Sequence, residues 1–421
     1  ARPPQTGCIS TSFQPCHYSN DAAPPALNYA PYRHQPAKAV FLLWQLCSAV
    51  LRIPYYALSS AIPSSRPRQS WTFRRAFRVK LLRYLSSLGL YVGYIMKVPD
   101  HLALKLGPEY HGLWVEPVDI TSLPGNLKRW AAAADISAVR LPGYWIHRKD
   151  AKIELGAPLM PGEKILYALH GGGYTRLSAH PGDITSAIPR GFLDHVEPVL
   201  RTFSIEYRLS TTTPYPKAHS FPAALIDALT GYHYLVNTLG FSADDIIVEG
   251  DSAGGNLALA LVRYLSENPN PKLPVPGALV LLSPWCDMGN SHSSPGSSIF
   301  TCRPSDYIAI PENGIYYETV AFAGPFGLGA LDFNAYFSPA SKNIPDVSFS
   351  GFPRTFISAG GSEILVDSIR TLRDKMVKSM GAARVEYLEM EDAVHDFVVL
   401  ASIHERERTE TLNAIAKWIS S

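Results

Sequence analysis

At 421 residues with 46% hydrophobic content, the chain can build one large core. Its five cysteines, Cys8, Cys16, Cys47, Cys286 and Cys302, are odd in number and scattered, which argues against a disulfide framework but leaves a Cys286 to Cys302 bridge open. The net charge of +2 hides an asymmetry: the first hundred residues carry twelve Lys or Arg against Asp21 and Asp100, a balance of +10, so the remainder carries −8.

Residues 1–38 are rich in Pro, Ser, Asn and Tyr without periodicity and read as a disordered tail. An apolar stretch follows from Ala39 to Ile62, with Leu42, Leu43, Trp44, Leu46, Val50 and Leu51 among its members and Arg52 and Pro54 interrupting it. Then come Arg66, Arg68, Arg74, Arg75, Arg78, Lys80 and Arg83, interleaved with Trp71, Phe73 and Phe77. A full membrane span wants about 20 apolar residues, and a central Arg costs several kcal/mol there. Residues 39–83 therefore fit interfacial helices at a membrane surface, with Arg among the head groups, at least as well as they fit a span. The alternative is a soluble protein in which these segments cap the active site. Should the stretch span, the Arg cluster on its C-terminal side predicts a cytoplasmic catalytic domain, and the lack of an N-x-S/T sequon agrees. The chain opens on Ala1 rather than Met, which leaves a targeting segment open. No nucleic-acid-binding fold surrounds the Arg cluster, so no nucleic-acid partner is expected.

Beyond residue 150 short β-rich runs alternate with helical stretches, which predicts a mostly parallel sheet. The run Lys164 to Leu169 leads into His170-Gly171-Gly172-Gly173-Tyr174. Three consecutive glycines after a buried strand allow N–H groups to turn inward onto an oxyanion, with Gly171 and Gly172 as candidate donors. His170 reads as a group that fixes this loop by hydrogen bonding. After a strand at Phe203 to Tyr207 and a helix from Leu225 to Leu239, the apolar run Ile246-Ile247-Val248 meets Gly250-Asp251-Ser252-Ala253-Gly254, and a helical pattern runs from Asn256 to Leu265. This is a nucleophile elbow in sequence: small neighbours let strand and helix crowd together while Ser252 stays presented, with the N–H of Ala253 as a further oxyanion donor.

A serine nucleophile needs a base and an acid to orient it, and after such an elbow the acid precedes the histidine. The strand Thr355 to Ala359 ends in Gly360-Gly361-Ser362-Glu363, at the carboxyl end where α/β sheets keep their chemistry, and Ala278 to Leu282 is a further β-rich run. Glu363 is the preferred acid and Asp367, four residues on, the runner-up. His395 follows the strand candidate Arg384 to Leu388 in a loop-like segment; His292 lies in a Ser-rich loop and His404 in a charged helix. Asp287 lies too early in the order, and Asp396 is adjacent to His395 and so reads as poorly placed to accept from its ring.

Together these residues resemble the hormone-sensitive-lipase-like branch of the α/β-hydrolases, over roughly residues 160–421. The likeness is carried by His170-Gly171-Gly172-Gly173 and Gly250 to Gly254, with Tyr207-Arg208-Leu209, Phe221-Pro222-Ala223-Ala224 and Asp227, Ser283-Pro284-Trp285 and the acid and His-Asp-Phe segments in order. It implies an α/β-hydrolase fold, a Ser252, Glu363, His395 triad and an oxyanion hole from Gly171, Gly172 and Ala253. It departs from the pattern at Glu363, where the family more often has Asp. The implied layout is a tail at 1–38, an apolar and basic cap or membrane region at 39–150 and a catalytic domain at 151–421, with a cap insertion at about 286–337. The expected reaction is hydrolysis of a hydrophobic carboxylic ester (lipid, steryl or specialised metabolite) of short to medium acyl chain, without metal or cofactor. Tyr174, Trp285 and Phe397 are candidate pocket walls. Acyl transfer on the same scaffold and a ligand-binding receptor are the alternative functions, and the oligomeric state is left open.

Overall fold

A computed structural model describes residues 27–95, 99–311, 314 and 316–421. It begins with two long helices, α1 (Ala37–Ala61) and α2 (Phe73–Val92). They run antiparallel, as the contacts of Phe41 with Tyr91, Gln45 with Tyr84 and Ser59 with Lys80 show. Thr72 caps α2, its hydroxyl accepting from the Arg75 N–H. Most of the stretch expected to be disordered lies outside the described residues, as do Cys8 and Cys16. From Leu27 on the chain is described, and Ala30 is buried with its N–H donating to the Leu90 carbonyl at the end of α2.

The body is an eight-stranded sheet among the described residues. Its strands are β1 (His111–Val115), β2 (Leu141–His147), β3 (Lys164–Leu169), β4 (Val199–Ile205), β5 (Ile246–Asp251), β6 (Ala278–Leu282), β7 (Arg354–Gly360) and β8 (Val385–Met390). Their spatial order is β1-β2-β4-β3-β5-β6-β7-β8, antiparallel at β1/β2 and β2/β4 and parallel elsewhere. The strand between Lys164 and Leu169 has the bounds its sequence predicts, whereas the one predicted at Phe203 to Tyr207 starts earlier and ends at Ile205. The sheet also begins well before residue 151, because β1 and β2 belong to it. Pro142 and Gly143 inside β2 hide it from a strand reading, since proline cannot donate to the ladder and glycine weakens a strand.

Eleven helices are named in order: α1 and α2 are followed by α3 (Leu127–Ala134), α4 (Ala187–His195), α5 (Ala223–His233), α6 (Ser252–Glu267), α7 (Ser298–Thr301), α8 (Tyr317–Ala323), α9 (Gly329–Phe333), α10 (Val366–Met380) and α11 (Ala401–Ser420). The helix expected over Leu225 to Leu239 is α5, continued by one wider turn at Tyr234–Thr238. Because successive strand residues face opposite ways, each buried strand feeds two cores. Leu279 and Leu281 of β6 join α5, α6 and α10 in one, while Ala278, Val280 and Leu282 join α4 and α11 in the other. Helices thus cover both faces, and the carboxyl ends of β3, β5, β7 and β8 open on one edge.

Several contacts bind the N-terminal pair to that edge. Trp71, Ala76 and Val79 pack on Val394, and the Trp71 indole N–H donates to the Asp392 carbonyl at 3.0 Å. Arg68 donates to the Gly361 carbonyl at 2.8 Å. The bridge left open between Cys286 and Cys302 is absent: both are free thiols, and each is buried in its own surroundings.

Candidate active site

Helix α6 starts on the residue after β5 ends, and the turn puts Ser252 at φ +50°, a left-handed conformation that costs a side-chain-bearing residue energy. Its glycine neighbours make the turn possible. A Cβ on Gly254 would stand 1.9 Å from the Leu169 carbonyl oxygen, and one on Gly250 would stand 2.2 Å from the Gly254 oxygen. Strand, turn and helix therefore touch backbone to backbone, and Ser252 is held at the sheet edge with 9% of its surface exposed.

From there a chain of polar contacts runs across the edge. Ser252 Oγ lies 2.9 Å from His395 Nε2, and His395 Nδ1 lies 3.2 Å from Glu363 Oε2. His395 stands in the loop after β8 and Glu363 in the loop after β7, both buried. Asp367 stays away from the ring: it accepts from the Ser298 N–H and pairs with Arg370. Asp287 is engaged with His292 at 2.6 Å. Burial pushes the Glu363 carboxyl up to about 7, a rise that the His395 hydrogen bond only limits. Burial works against charge on His395, but Asp396 and then Glu363 outweigh it, so its pKa stands well above the ordinary histidine range.

Asp396 does not take the place of Glu363 at Nδ1, but it comes closer to the ring than its adjacency in sequence suggests. Its Oδ2 lies 3.1 Å from His395 Nε2 as an ion-pair neighbour, because Asp396 sits at φ +48° in a tight turn. A left-handed residue, which Asp tolerates, reverses the chain locally.

The glycine loop needs a correction. The Gly171 N–H donates to Asp251 Oδ1 at 2.9 Å, so it is occupied and does not face an incoming oxyanion. The N–H groups of Gly172 and Gly173 have no hydrogen-bond acceptor among the described residues, and the Ala253 N–H lies in the first turn of α6, where a helix leaves its donors open. Gly172 is required by its φ of +109°, and a Cβ there would come 2.1 Å from the Arg176 carbonyl oxygen. His170 holds the loop as expected: its Nδ1 donates to the Gly171 carbonyl at 2.6 Å and its ring stacks on Tyr207, while burial lowers its pKa to about 4.

Of the three candidate pocket residues, Tyr174 stacks on Phe322 at 3.8 Å and donates to Asn256, and Phe397 lies in the core shared with α11; both are spent on packing. Trp285 is half-buried beside the nucleophile, its backbone N–H donating to the Ser252 carbonyl at 2.8 Å. Two groups escaped the sequence reading. Asp251 ties the elbow to the glycine loop, and the buried Asp306 accepts from the Ile364 and Tyr307 N–H groups, bracing the chain next to Glu363. The Asp251 contact was signalled only by its place inside the elbow motif, and nothing in sequence links Asp306 to Ile364.

The alpha/beta hydrolase fold family matches residues 166–399. An esterase of Mycobacterium tuberculosis, LipU, is 31% identical over 260 residues, 61% of this chain and 76% of that protein. Steryl acetyl hydrolase 1 of Saccharomyces cerevisiae is 27% identical over 128 residues, 30% of this chain and 27% of that protein. Among solved structures, an esterase/lipase from an uncultured bacterium superposes with a TM-score of 0.52 at 21% identity, covering 82% of this chain and 97% of that one. An esterase from the bacterial hormone-sensitive lipase family gives 0.50 at 20% identity, over 87% and 96%. The chain belongs to the α/β-hydrolase fold family, as a serine ester hydrolase.

Proposed function

We propose that Ser252 is the nucleophile of a carboxylic ester hydrolase, His395 its general base and Glu363 the acid that orients the base. In the acylation step Ser252 Oγ attacks the ester carbonyl carbon and its proton passes to His395 Nε2. The N–H groups of Gly172, Gly173 and Ala253 hold the oxyanion, and His395 returns the proton to the leaving alcohol as the C–O bond breaks. Water then attacks the acyl-enzyme by the same base and releases the acid. The observation that carries this reading is the continuous chain from Ser252 through His395 to Glu363 at 2.9 and 3.2 Å.

The substrate we propose is a hydrophobic ester with a short acyl group. The reading draws on the aromatic surroundings of the edge, where Tyr307 lies 6.2 Å from the His395 ring and Trp285 6.4 Å from Tyr316, and on the acetyl-hydrolase names among the relatives. A p-nitrophenyl ester series from acetate to palmitate tests both parts. Acetate or butyrate should be cleaved fastest; Ser252→Ala should lower kcat by more than about 1,000-fold, and Glu363→Ala should lower it strongly with little change in KM. Fastest turnover of palmitate would refute the acyl preference, and an active Ser252→Ala the nucleophile.

We further propose that α1 and α2 rest on a membrane surface. The support is the outward face of α1, where Leu43, Trp44, Leu46, Val50, Leu51 and Leu58 are all exposed. The helix is long and apolar enough to cross a membrane by length and composition, but its other face lies along α2, which suits lying in the interface better than spanning. Flotation with vesicles tests this.

A further inference from the structure

We propose that Asp396, as an ion-pair partner beside Nε2 of His395, holds the ring as an imidazolium in the resting enzyme and thereby sets the pH at which catalysis begins. The inference rests on the reading of Ser252 and His395 as nucleophile and base.

Three groups surround the ring. An imidazole nitrogen offers one in-plane position for either a proton or a lone pair. Nε2 faces Ser252 Oγ at 2.9 Å and Asp396 Oδ2 at 3.1 Å, while Nδ1 faces Glu363 Oε2 at 3.2 Å. When the ring is neutral with its proton on Nδ1, the Nε2 lone pair lies toward Ser252 Oγ with the Asp396 carboxylate beside it. When the ring is doubly protonated, Nδ1–H meets Glu363, Nε2–H lies toward Ser252 Oγ, and the Asp396 carboxylate at 3.1 Å pairs with the ring's charge. Asp396 therefore favours the state in which Nε2 has no lone pair with which to receive the Ser252 proton.

Nothing else around Asp396 relieves it. Its Oδ1 is buried without a hydrogen-bond partner, and among the described residues its ion pair is with His395 alone. The titratable groups facing His395 from other elements have the same sign or are neutral: Glu363 after β7, Asp251 at the end of β5, and Asp306 with Tyr307 in the insertion after β6. Of the cations in the N-terminal segment, Arg68 donates to the Gly361 carbonyl, Arg75 pairs with Glu407 and Arg83 interacts with Asp306. These carboxylates thus oppose the burial that works against charge on the ring.

The sign follows directly. A base whose protonated form is stabilised works only above its raised pKa, so the acid limb of kcat/KM is displaced above the ordinary histidine value of about 6.5. Asp396→Asn keeps the shape and removes the charge.

The test follows kcat/KM for p-nitrophenyl acetate, and the rate of labelling by a fluorophosphonate, from about pH 5 to about pH 10 in the full chain, Asp396→Asn and Ser252→Ala. The parent's limb should lie above about 6.5, and in Asp396→Asn it should fall by about 1–3 pH units, raising activity on the acid side. A parent limb at or below about 6.5 overturns the proposal, and that measurement needs no variant to fold. So does an Asp396→Asn profile that changes in height with its midpoint unmoved, which is what a merely structural role gives. An active Ser252→Ala would sink the nucleophile reading instead; an inactive one with an unmoved limb sinks only the role of Asp396.

Discussion

Glu206 is a carboxylic acid with no exposed surface, held by the Ser178 hydroxyl and the Ala179 N–H behind the glycine loop. Burial pushes its pKa up to about 8, and the two hydrogen bonds only limit the rise. The unfolded chain gives such a group up near pH 4.3, about the free glutamate value. Between those two values the folded state binds a proton that the unfolded state has lost, so stability falls as pH rises through that window. Glu206→Gln keeps the hydrogen-bonding shape and removes the titration. Thermal melts should show its Tm gaining on the parent between about pH 5 and pH 8; a constant difference would mean that Glu206 is already ionised in the fold. Individual residues differ in how far sequence exposes them. Ser252, Glu363 and His395 are legible because each follows a β-rich run in a fixed order. The occupied N–H of Gly171 and the position of Asp396 are not, because each depends on which backbone groups the fold brings within 3 Å or so.

Trp71 is the joint between elements that the sequence shows separately. It is 1% exposed, packs on Val394 beside the base, and donates its indole N–H to Asp392. The loop after β8 is thus stapled to α2 on one side of His395. Trp71→Ala should cost about 3–5 kcal/mol of stability, and below its lowered Tm it should also lose kcat by letting that loop move. Trp71→Phe retains most of the packing and loses one hydrogen bond, so about 1 kcal/mol should be lost and most of the activity should remain. Equal kcat in Trp71→Ala and the parent would show that the staple is purely structural. Elements were legible where periodicity and burial agree, as in β3, β5 and α6. They were not where local chemistry opposes the fold. β2 keeps Pro142 and Gly143 because it pairs antiparallel between β1 and β4 on the sheet's outer side, where tertiary pairing overrides weak strand propensity.

For the molecule as a whole, the uneven charge seen in sequence has a structural counterpart in the N-terminal pair. Of the two charged residues in α1, Arg52 places its guanidinium 5.0 Å over the Tyr84 ring of α2, and Lys38 donates to the Tyr94 carbonyl. The outward face is left to Leu46, Val50, Leu51 and Leu58, each more than two-thirds exposed. A water-facing helix normally reverses that pattern, and an apolar stripe of this length marks an interaction surface. Arg75 and Arg78 of α2 are turned onto α11 and Lys80 onto Ser59 of α1, which leaves the exposed Arg74 for anionic head groups, at about 1 kcal/mol. Two responses should separate the contributions. The full chain should float with neutral vesicles through the apolar face and bind anionic vesicles more tightly, the extra affinity fading as salt rises. Leu46→Asp with Leu51→Asp should abolish flotation on neutral vesicles while leaving hydrolysis of a soluble ester unchanged, since neither residue belongs to the site. Loss of soluble-ester turnover in that double variant would make α1 part of the catalytic body, and a parent that stays in the soluble fraction would return the pair to a cap.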